Sequence, residues 1–185
     1  TGVTLMQMTE GCDEGPILCV ARTKVSVTEN LLSLSDKLVK LGCELVLDGI
    51  RRAKTQGLDV QTQDHSQASH APLLRKADGQ LDFTKTAVEL ERQVRAFNPW
   101  PGTFVKLVTG DALKILQARL KVVESERAVG EIAELSDTIS VQTKEGCLEI
   151  LRLQPPGKKA MATSDYLRGA GKKWKIGDPF GRPVI

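Results

Sequence analysis

The sequence contains no run of roughly 18 apolar residues, the length that a helix needs to cross a membrane. It also contains few cysteines, none of which forms a C-x-x-C pair, and each lies beside apolar residues. We therefore interpret them as reduced packing residues of a protein from the cytoplasm or an organellar matrix. These cysteines are Cys12, Cys19, Cys43 and Cys147.

Histidine is scarcer still, with only two in the chain. His65 and His70 lie five residues apart in a polar loop over 58–71, with no cysteine near and only Asp64 as a carboxylate close to them. Zinc sites need three or four closely spaced Cys, His or carboxylate ligands. We therefore predict that the protein has no metal site.

Charge is present but unevenly distributed. Residues 1–90 carry 10 Lys/Arg against 12 Asp/Glu, whereas residues 91–185 carry 16 against 11. The segment 155–185 carries seven against two. A basic carboxyl end indicates a polyanionic partner, although a solvated tail would explain the same charge.

One stretch divides the chain into two kinds of structure. Thr86 to Glu89 reads as a capping box that starts a helix, and Pro99 and Pro101 follow within a few turns. Because proline pushes the residue before it out of the helical region, this helix should end near Asn98. Short β-like runs come afterwards, so we interpret the stretch as a hinge, with domains at 1–97 and 98–185; an ordinary helix-to-strand turn is the alternative.

The part before the hinge predicts an α/β arrangement. Strands are expected over 1–8 and 17–25, joined by a loop rich in glycine and acidic residues that carries Asp13. Loops held by a rigid sheet often carry catalytic groups, although most acidic loop residues are simply solvated. Thr28 is a plausible N-cap for a helix whose core face is marked by Leu31, Leu34, Leu38 and Leu41.

The part after the hinge predicts repeated short strands separated by turns. They are expected over 103–109, 112–123, 129–135, 138–143 and 147–153. Five short strands in so few residues favour a small closed or partly open β-barrel resembling an oligonucleotide-binding fold. A short helix over 164–168, capped by Thr163, and a basic tail follow.

These motifs resemble the carboxyl-terminal portion of methionyl-tRNA formyltransferases. The resemblance implies the end of a doubly wound, Rossmann-like formyltransferase domain followed by the barrel. It implies a monomeric enzyme of translation initiation that moves a formyl group from 10-formyltetrahydrofolate to the amine of initiator methionyl-tRNA. The motifs are Thr1–Met8, Gly11–Pro16, Asp82-Phe83, Arg95–Gly102 and Leu153–Met161.

The resemblance assigns a catalytic role to Asp13, within a donor-binding loop that includes Glu10, Gly11 and Gly15. In this family an asparagine, a histidine and an aspartate act together, and the resemblance places the first two in a motif upstream of Thr1. The two donors would stabilise the oxyanion, while the carboxylate would orient the imidazole or take part in proton transfer. This chain alone is therefore expected to be inactive.

The basic carboxyl end is expected to contact tRNA phosphates, because lysines without aromatic partners suit backbone contacts better than base reading. Trp174, between lysines, is expected to anchor the tail against the barrel, with base stacking as the alternative. The predicted tRNA-binding residues are Lys158, Lys159, Arg168, Lys172, Lys173 and Lys175.

Two departures from the family pattern stand out: Leu73 follows Pro72 where lysine is usual, and Phe83 follows Asp82 where tryptophan is usual. The first would weaken tRNA binding unless Arg75 or Lys76 substitutes. Three alternatives stay open: a non-enzymatic RNA-binding fragment, a formyl-tetrahydrofolate hydrolase, and a sugar-amine formyltransferase. The run from Gly157 to Lys159 and the basic tail disfavour the last two.

Overall fold

The computed structural model describes residues 1–122 and 125–181, and the chain forms two compact units, Thr1–Leu73 and Leu74–Ile185. Among the described residues, no helix is long and apolar enough to span a membrane. The sequence placed the division at 97/98. The structure groups 74–97 with the second unit, because Leu81, Leu90 and Val94 are buried in that unit's core.

The first unit contains two strands, one long helix and a short 3₁₀ turn at His65–Gln67. Strands β1 (Gly2–Met6) and β2 (Ile17–Arg22) pair antiparallel, and helix α1 runs over Leu31–Thr55. Both predicted strands and the helix are present. The first unit's sheet consists of this one antiparallel pair, so the doubly wound parallel sheet stays a prediction.

The cap of α1 is Asn30, so the assignment of Thr28 as its N-cap is wrong. The Asn30 side chain accepts from the Ser33 amide at 3.1 Å, and the Ser33 hydroxyl accepts from the Asn30 amide at 3.0 Å. A serine three residues after Asn30 permits this reciprocal pair. Thr28 instead bonds the Ser26 hydroxyl.

Helix α1 is apolar on two faces. The face with Leu34, Leu38 and Leu41 is half-buried, and α1 lies against both strands. Close approach is possible because Gly49 faces the Leu5 side chain, where a Cβ would clash. We had expected the Leu31, Leu34, Leu38 and Leu41 face to lie against little. The solvent-exposed apolar residues are mainly others: Leu32, Val39, Val46, Leu47 and Ile50.

The second unit contains all five predicted strands and one more, in an antiparallel sheet. Its order is β3-β4-β7-β6-β5, with β8 paired to β7. The strands are β3 (Thr103–Lys106), β4 (Ala112–Lys121), β5 (Ile132–Leu135), β6 (Ile139–Gln142), β7 (Cys147–Gln154) and β8 (Met161–Ala162).

Closure of this sheet into a barrel is not confirmed, because other segments cover its two edges. On the β3 edge, the Leu81 amide donates to the Phe104 carbonyl at 2.9 Å. On the β5 side, the Ile132 amide donates to Asp178 at 2.9 Å and the Phe180 amide to Gly130 at 2.8 Å. Covered edges satisfy backbone groups without the edge strands meeting. Within the described residues, no ladder joins β3 to β5.

Helix α2 (Ala87–Phe97) covers the sheet and begins at the predicted capping box. The Thr86 amide donates to the Glu89 carboxylate at 2.8 Å, and Thr86 Oγ1 accepts from the Glu89 amide at 3.3 Å. Leu90 and Val94 on its inner face are fully buried. A short helix α3 (Thr163–Arg168) follows β8 with Ala162, not Thr163, in the N-cap position. Two 3₁₀ turns, Lys76–Gly79 and Ala170–Lys173, complete the unit.

The predicted end of α2 at the hinge is confirmed. Asn98 ends the helix, and its side-chain amide donates to the carbonyls of Val94 at 2.8 Å and Ile115 at 3.2 Å. The peptide bonds before Pro99 and Pro101 are both cis. Asn98 thus ties the end of the helix to the middle of the sheet.

A buried carboxylate organises one face of the sheet. Glu149, 3% exposed, accepts hydrogen bonds from Arg119 Nε and from the Thr138 hydroxyl, and Lys121 Nζ lies 3.7 Å away. The hydrogen bond from Arg119 is the main cause that holds the pKa of Glu149 below its usual range, and the bond from Thr138 adds to it.

Glu149→Gln is expected to destabilise the second unit by about 1–2 kcal/mol at neutral pH, since the amide forms a weaker pair with a largely exposed guanidinium. The pKa of Glu149 is lower folded than unfolded, so its stabilisation is complete above the ordinary glutamate range and is lost as pH falls through the folded pKa. Urea denaturation at several pH values should show the gap between parent and variant closing in acid. Glu145→Gln, on an exposed turn, is the control. A gap that does not change with pH would contradict the assignment.

Candidate functional site

Asp13 lies on the tight loop between β1 and β2, as predicted. Among the described residues it is the one non-glycine residue with positive φ, at +57°, and its side chain is exposed. Aspartate tolerates this left-handed conformation better than most residues. The backbone thus presents the carboxylate of Asp13 to solvent from a sharp bend.

The glycines of this loop are required by close packing of the chain on itself. A Cβ at Gly15 would collide with the carbonyl oxygen of Gln7, whose amide donates to Pro16 at 2.9 Å. A Cβ at Gly11 would collide with the carboxylate of Glu14. Gly11 and Gly15 therefore keep the loop tight and free of side chains, and Glu10 next to them is exposed.

A residue that the sequence analysis did not single out holds this loop. The side-chain amide of Gln63 donates to the carbonyls of Asp13 at 2.9 Å and Gly15 at 2.6 Å. Its segment is fixed to β2, because Gln61 and Ile17 exchange two backbone hydrogen bonds of 2.8 and 2.9 Å. Gln63 is 50 residues from Asp13 in sequence, and no local pattern marks it.

The two histidines lie on the exposed surface of the first unit. Asp64 accepts from the Ser66 hydroxyl at 2.6 Å and from Gln67 Nε2 at 2.7 Å, which lowers the pKa of its carboxyl. In the described ranges, no three His, Cys, Asp or Glu side chains come together as a metal site would require. Leu73, the departure from the family pattern, is exposed, as are Arg75 and Lys76.

The predicted tRNA-binding residues are all exposed. Lys158 and Lys159 lie in the connection between β7 and β8, where the Lys158 carbonyl accepts from Gln154 Nε2 at 2.9 Å. Arg168 Nη2 pairs with Asp165 on the same helix. None of the lysines forms an ion pair within residues 1–122 and 125–181, so their charge is open to a ligand. They are Lys158, Lys159, Lys172, Lys173 and Lys175.

Trp174 anchors the tail to the second unit, as predicted. Its Nε1 donates to the Tyr166 hydroxyl at 3.2 Å, and its ring lies 5.5 Å from that of Phe180. Phe180 is fully buried and also contacts Phe83 edge-on at 6.3 Å. The phenylalanine that replaces the usual tryptophan therefore packs against the tail.

Comparison with known proteins gives related sequences and related folds. The methionyl-tRNA formyltransferase of Pseudomonas fluorescens (strain Pf-5) is 40% identical over 183 residues, 98% of this chain and 56% of the relative. The structure of HypX from Aquifex aeolicus with tetrahydrofolic acid matches with TM-score 0.64 and 19% identity, over 99% of this chain and 32% of HypX. WlaRD, a sugar 3N-formyl transferase in the presence of dTDP and 5-N-formyl-THF, matches with TM-score 0.62 and 20% identity, over 85% of this chain and 56% of WlaRD.

The two structural matches establish the likeness of fold only, because their sequence identity is low. The chain spans about half the length of the curated relatives that it matches. A family described as "Formyl transferase, C-terminal domain" matches residues 73–171, which are 99 of the 185 residues. The chain therefore belongs to the formyl transferase family, and the curated relatives that it matches are methionyl-tRNA formyltransferases.

Proposed function

We propose that this chain supplies the catalytic aspartate and part of the tRNA-binding surface of an enzyme that formylates initiator methionyl-tRNA from 10-formyltetrahydrofolate. The observation that carries the proposal is 40% identity to a methionyl-tRNA formyltransferase across 98% of the chain. The donor class is supported by the folate molecules present with two related folds. We expect the enzyme to act as a monomer, in the bacterial cytoplasm or an organellar matrix.

In this reaction the neutral amine of the methionyl group attacks the formyl carbon, and negative charge develops on the formyl oxygen. A carboxylate near the amine can accept its proton or support a protonated imidazole that donates to the oxyanion. Asp13 is exposed on a loop whose glycines leave room for a donor molecule. No Asn-x-His pattern occurs in residues 1–185, so the proposal assigns to this chain the aspartate of the set alone.

The test requires those other groups. We define the fusion enzyme as this chain joined to the part of the Pseudomonas fluorescens relative that lies outside the matched region. We expect the fusion enzyme to formylate methionyl-tRNA and this chain alone to be inactive. Transfer activity in pure preparations of this chain alone would contradict the assigned division of roles.

The apolar surface of α1 supports the proposal that the first unit belongs to a larger, doubly wound domain. Its residues Leu32, Val39 and Ile50 are about half or more exposed, and no side chain in residues 1–73 other than glycine is fully buried. A helix that is apolar on two faces normally packs between two layers. For the second unit we propose an oligonucleotide-binding role for an open antiparallel sheet.

The sugar-amine formyltransferase is the second candidate, because WlaRD shares the fold. Its 20% identity is half that of the tRNA enzymes. The exposed lysines at the carboxyl end have no evident use with a small sugar nucleotide, whereas they suit a phosphate backbone. We therefore prefer tRNA to a sugar amine as acceptor, and tRNA-dependent transfer to donor hydrolysis.

The double substitution Lys158→Ala and Lys159→Ala is expected to weaken binding of all tRNAs by similar factors, because phosphate contacts carry little sequence information. Each lost contact releases fewer counterions, so the slope of log affinity against log salt should flatten by about one to two units. Filter binding of this chain to initiator and elongator tRNAs over a salt series measures both.

The matched control is Lys40→Ala with Lys54→Ala, two exposed lysines of α1 that make the same change of net charge. It should leave the salt slope within about half a unit of the parent. If both double variants shift the slope equally, the effect is one of net charge and these lysines are not the tRNA contacts.

A further inference from the structure

The Asp13 loop is held from outside itself by one side chain. Gln63 Nε2 donates to two carbonyls, at 2.9 Å to Asp13 and at 2.6 Å to Gly15, so both hydrogens of one amide bracket the bend. The two carbonyls flank the residue pair on which the loop turns. The bonds involve the backbone of the loop, so the carboxylate of Asp13 stays free.

Such a clamp matters because the loop has little else to fix it. Its glycines at 11 and 15 allow many backbone conformations, and Asp13 occupies the sparsely populated left-handed region. The described contacts at its ends are the Gln7 amide on Pro16 and the paired bonds between Ile17 and Gln61. A bend of this kind persists when the surrounding structure over-determines it.

Gln63 is itself positioned for this task. Its side chain is half-buried, whereas its neighbours Gln61 and Thr62 are exposed. The backbone pairing of Gln61 with Ile17 precedes it, and the Asp64 cap of the His65–Gln67 turn follows it. The amide is therefore held on both sides along the chain.

We propose that Gln63 is a positioning residue that holds the Asp13 carboxylate in register with the formyl donor. This inference rests on the proposed function, because it assigns to Asp13 the catalytic role argued above. Effective catalysis by a general base depends on placement to well under an ångström. A looser loop should therefore slow the chemical step more than it weakens substrate binding.

The first experiment tests the clamp without reference to activity. Gln63→Met keeps side-chain length and removes both donors, and Gln61→Met makes the same change two residues away on an exposed side chain. Hydrogen exchange of this chain should show the Gln7 and Ile17 amides exchanging at least about fivefold faster in Gln63→Met, while Gln61→Met matches the parent. Equal exchange in the parent and Gln63→Met would overturn the clamp.

The second experiment uses the fusion enzyme. Gln63→Met should lower kcat by about 10- to 100-fold, with KM for methionyl-tRNA within about twofold and an unchanged Tm, while Gln61→Met behaves as the parent. If exchange rises and kcat does not fall, while Asp13→Asn abolishes activity, the positioning role is wrong and the proposed function stands. If Asp13→Asn retains activity, the proposed function fails, whatever Gln63→Met shows in exchange.

Discussion

Replacing Asp13 by asparagine in the fusion enzyme is expected to lower the turnover of formyl transfer by about two to four orders of magnitude, the range for loss of a general acid–base group. Asparagine has nearly the same shape and also tolerates positive φ, so the bend at +57° should survive the substitution. What is lost is the negative charge and the proton acceptor. Initial rates with saturating donor and methionyl-tRNA measure the effect, and tRNA affinity should hardly change.

Asp59→Asn is the matched control, because it makes the same chemical change on an exposed loop residue of the same unit. It should retain full turnover. An Asp13→Asn variant with more than about a tenth of the parent rate would remove Asp13 from the chemistry.

Phe180→Ala is expected to destabilise the second unit by about 3–5 kcal/mol, as large-to-small changes of a buried phenylalanine do. Phe180 is fully buried, its ring lies between Phe83 and Trp174, and its amide pairs with Gly130. The substitution would leave a cavity and release the segment that covers the β5 side of the sheet. Chemical denaturation of this chain, followed by Trp174 fluorescence, gives the change in free energy of unfolding.

Ile176→Ala tests whether the effect belongs to the buried ring or to the tail as a whole. Ile176 is half-exposed in the same segment, so its loss should cost about 1 kcal/mol or less. Similar losses for both variants would mean that the tail is stabilised generally and that Phe180 has no special place in the core.

The elements that the sequence predicted correctly are those defined by neighbours in the chain. The capping box at Thr86, the end of α2 at Asn98 and the five strands of the second unit follow from spacing, proline and turn residues within a few positions. The strand–loop–strand arrangement around Asp13 follows in the same way.

What could not be predicted depends on contacts between distant residues. Closure of the barrel is not confirmed, since the tail and the segment before α2 cover the sheet edges, and neither carries a strand pattern. Phe180 lies in a turn-rich tail that gave no sign of a buried ring. Gln63 escaped notice because one glutamine among several in a polar loop is distinguished only by what it contacts.

The choice of Asn30 over Thr28 as the cap of α1 shows a subtler limit. Both residues have side chains that can cap a helix, and both precede the apolar repeat. Asn30 is selected because Ser33 stands at the position where its hydroxyl can return the hydrogen bond. The information was present in the sequence, but two candidates two residues apart competed for it.

The most direct test of the central claim is the acceptor preference of the fusion enzyme. Purified fusion enzyme is incubated with 10-formyltetrahydrofolate and, in parallel, with initiator methionyl-tRNA, a dTDP-linked amino sugar, or no acceptor. Formyl-methionyl-tRNA and released formate are then quantified. We expect formylation of the tRNA, no formylation of the sugar, and negligible release of formate without an acceptor. Transfer to the sugar, or rapid formate release without an acceptor, from a fusion enzyme that leaves methionyl-tRNA unmodified would contradict the account.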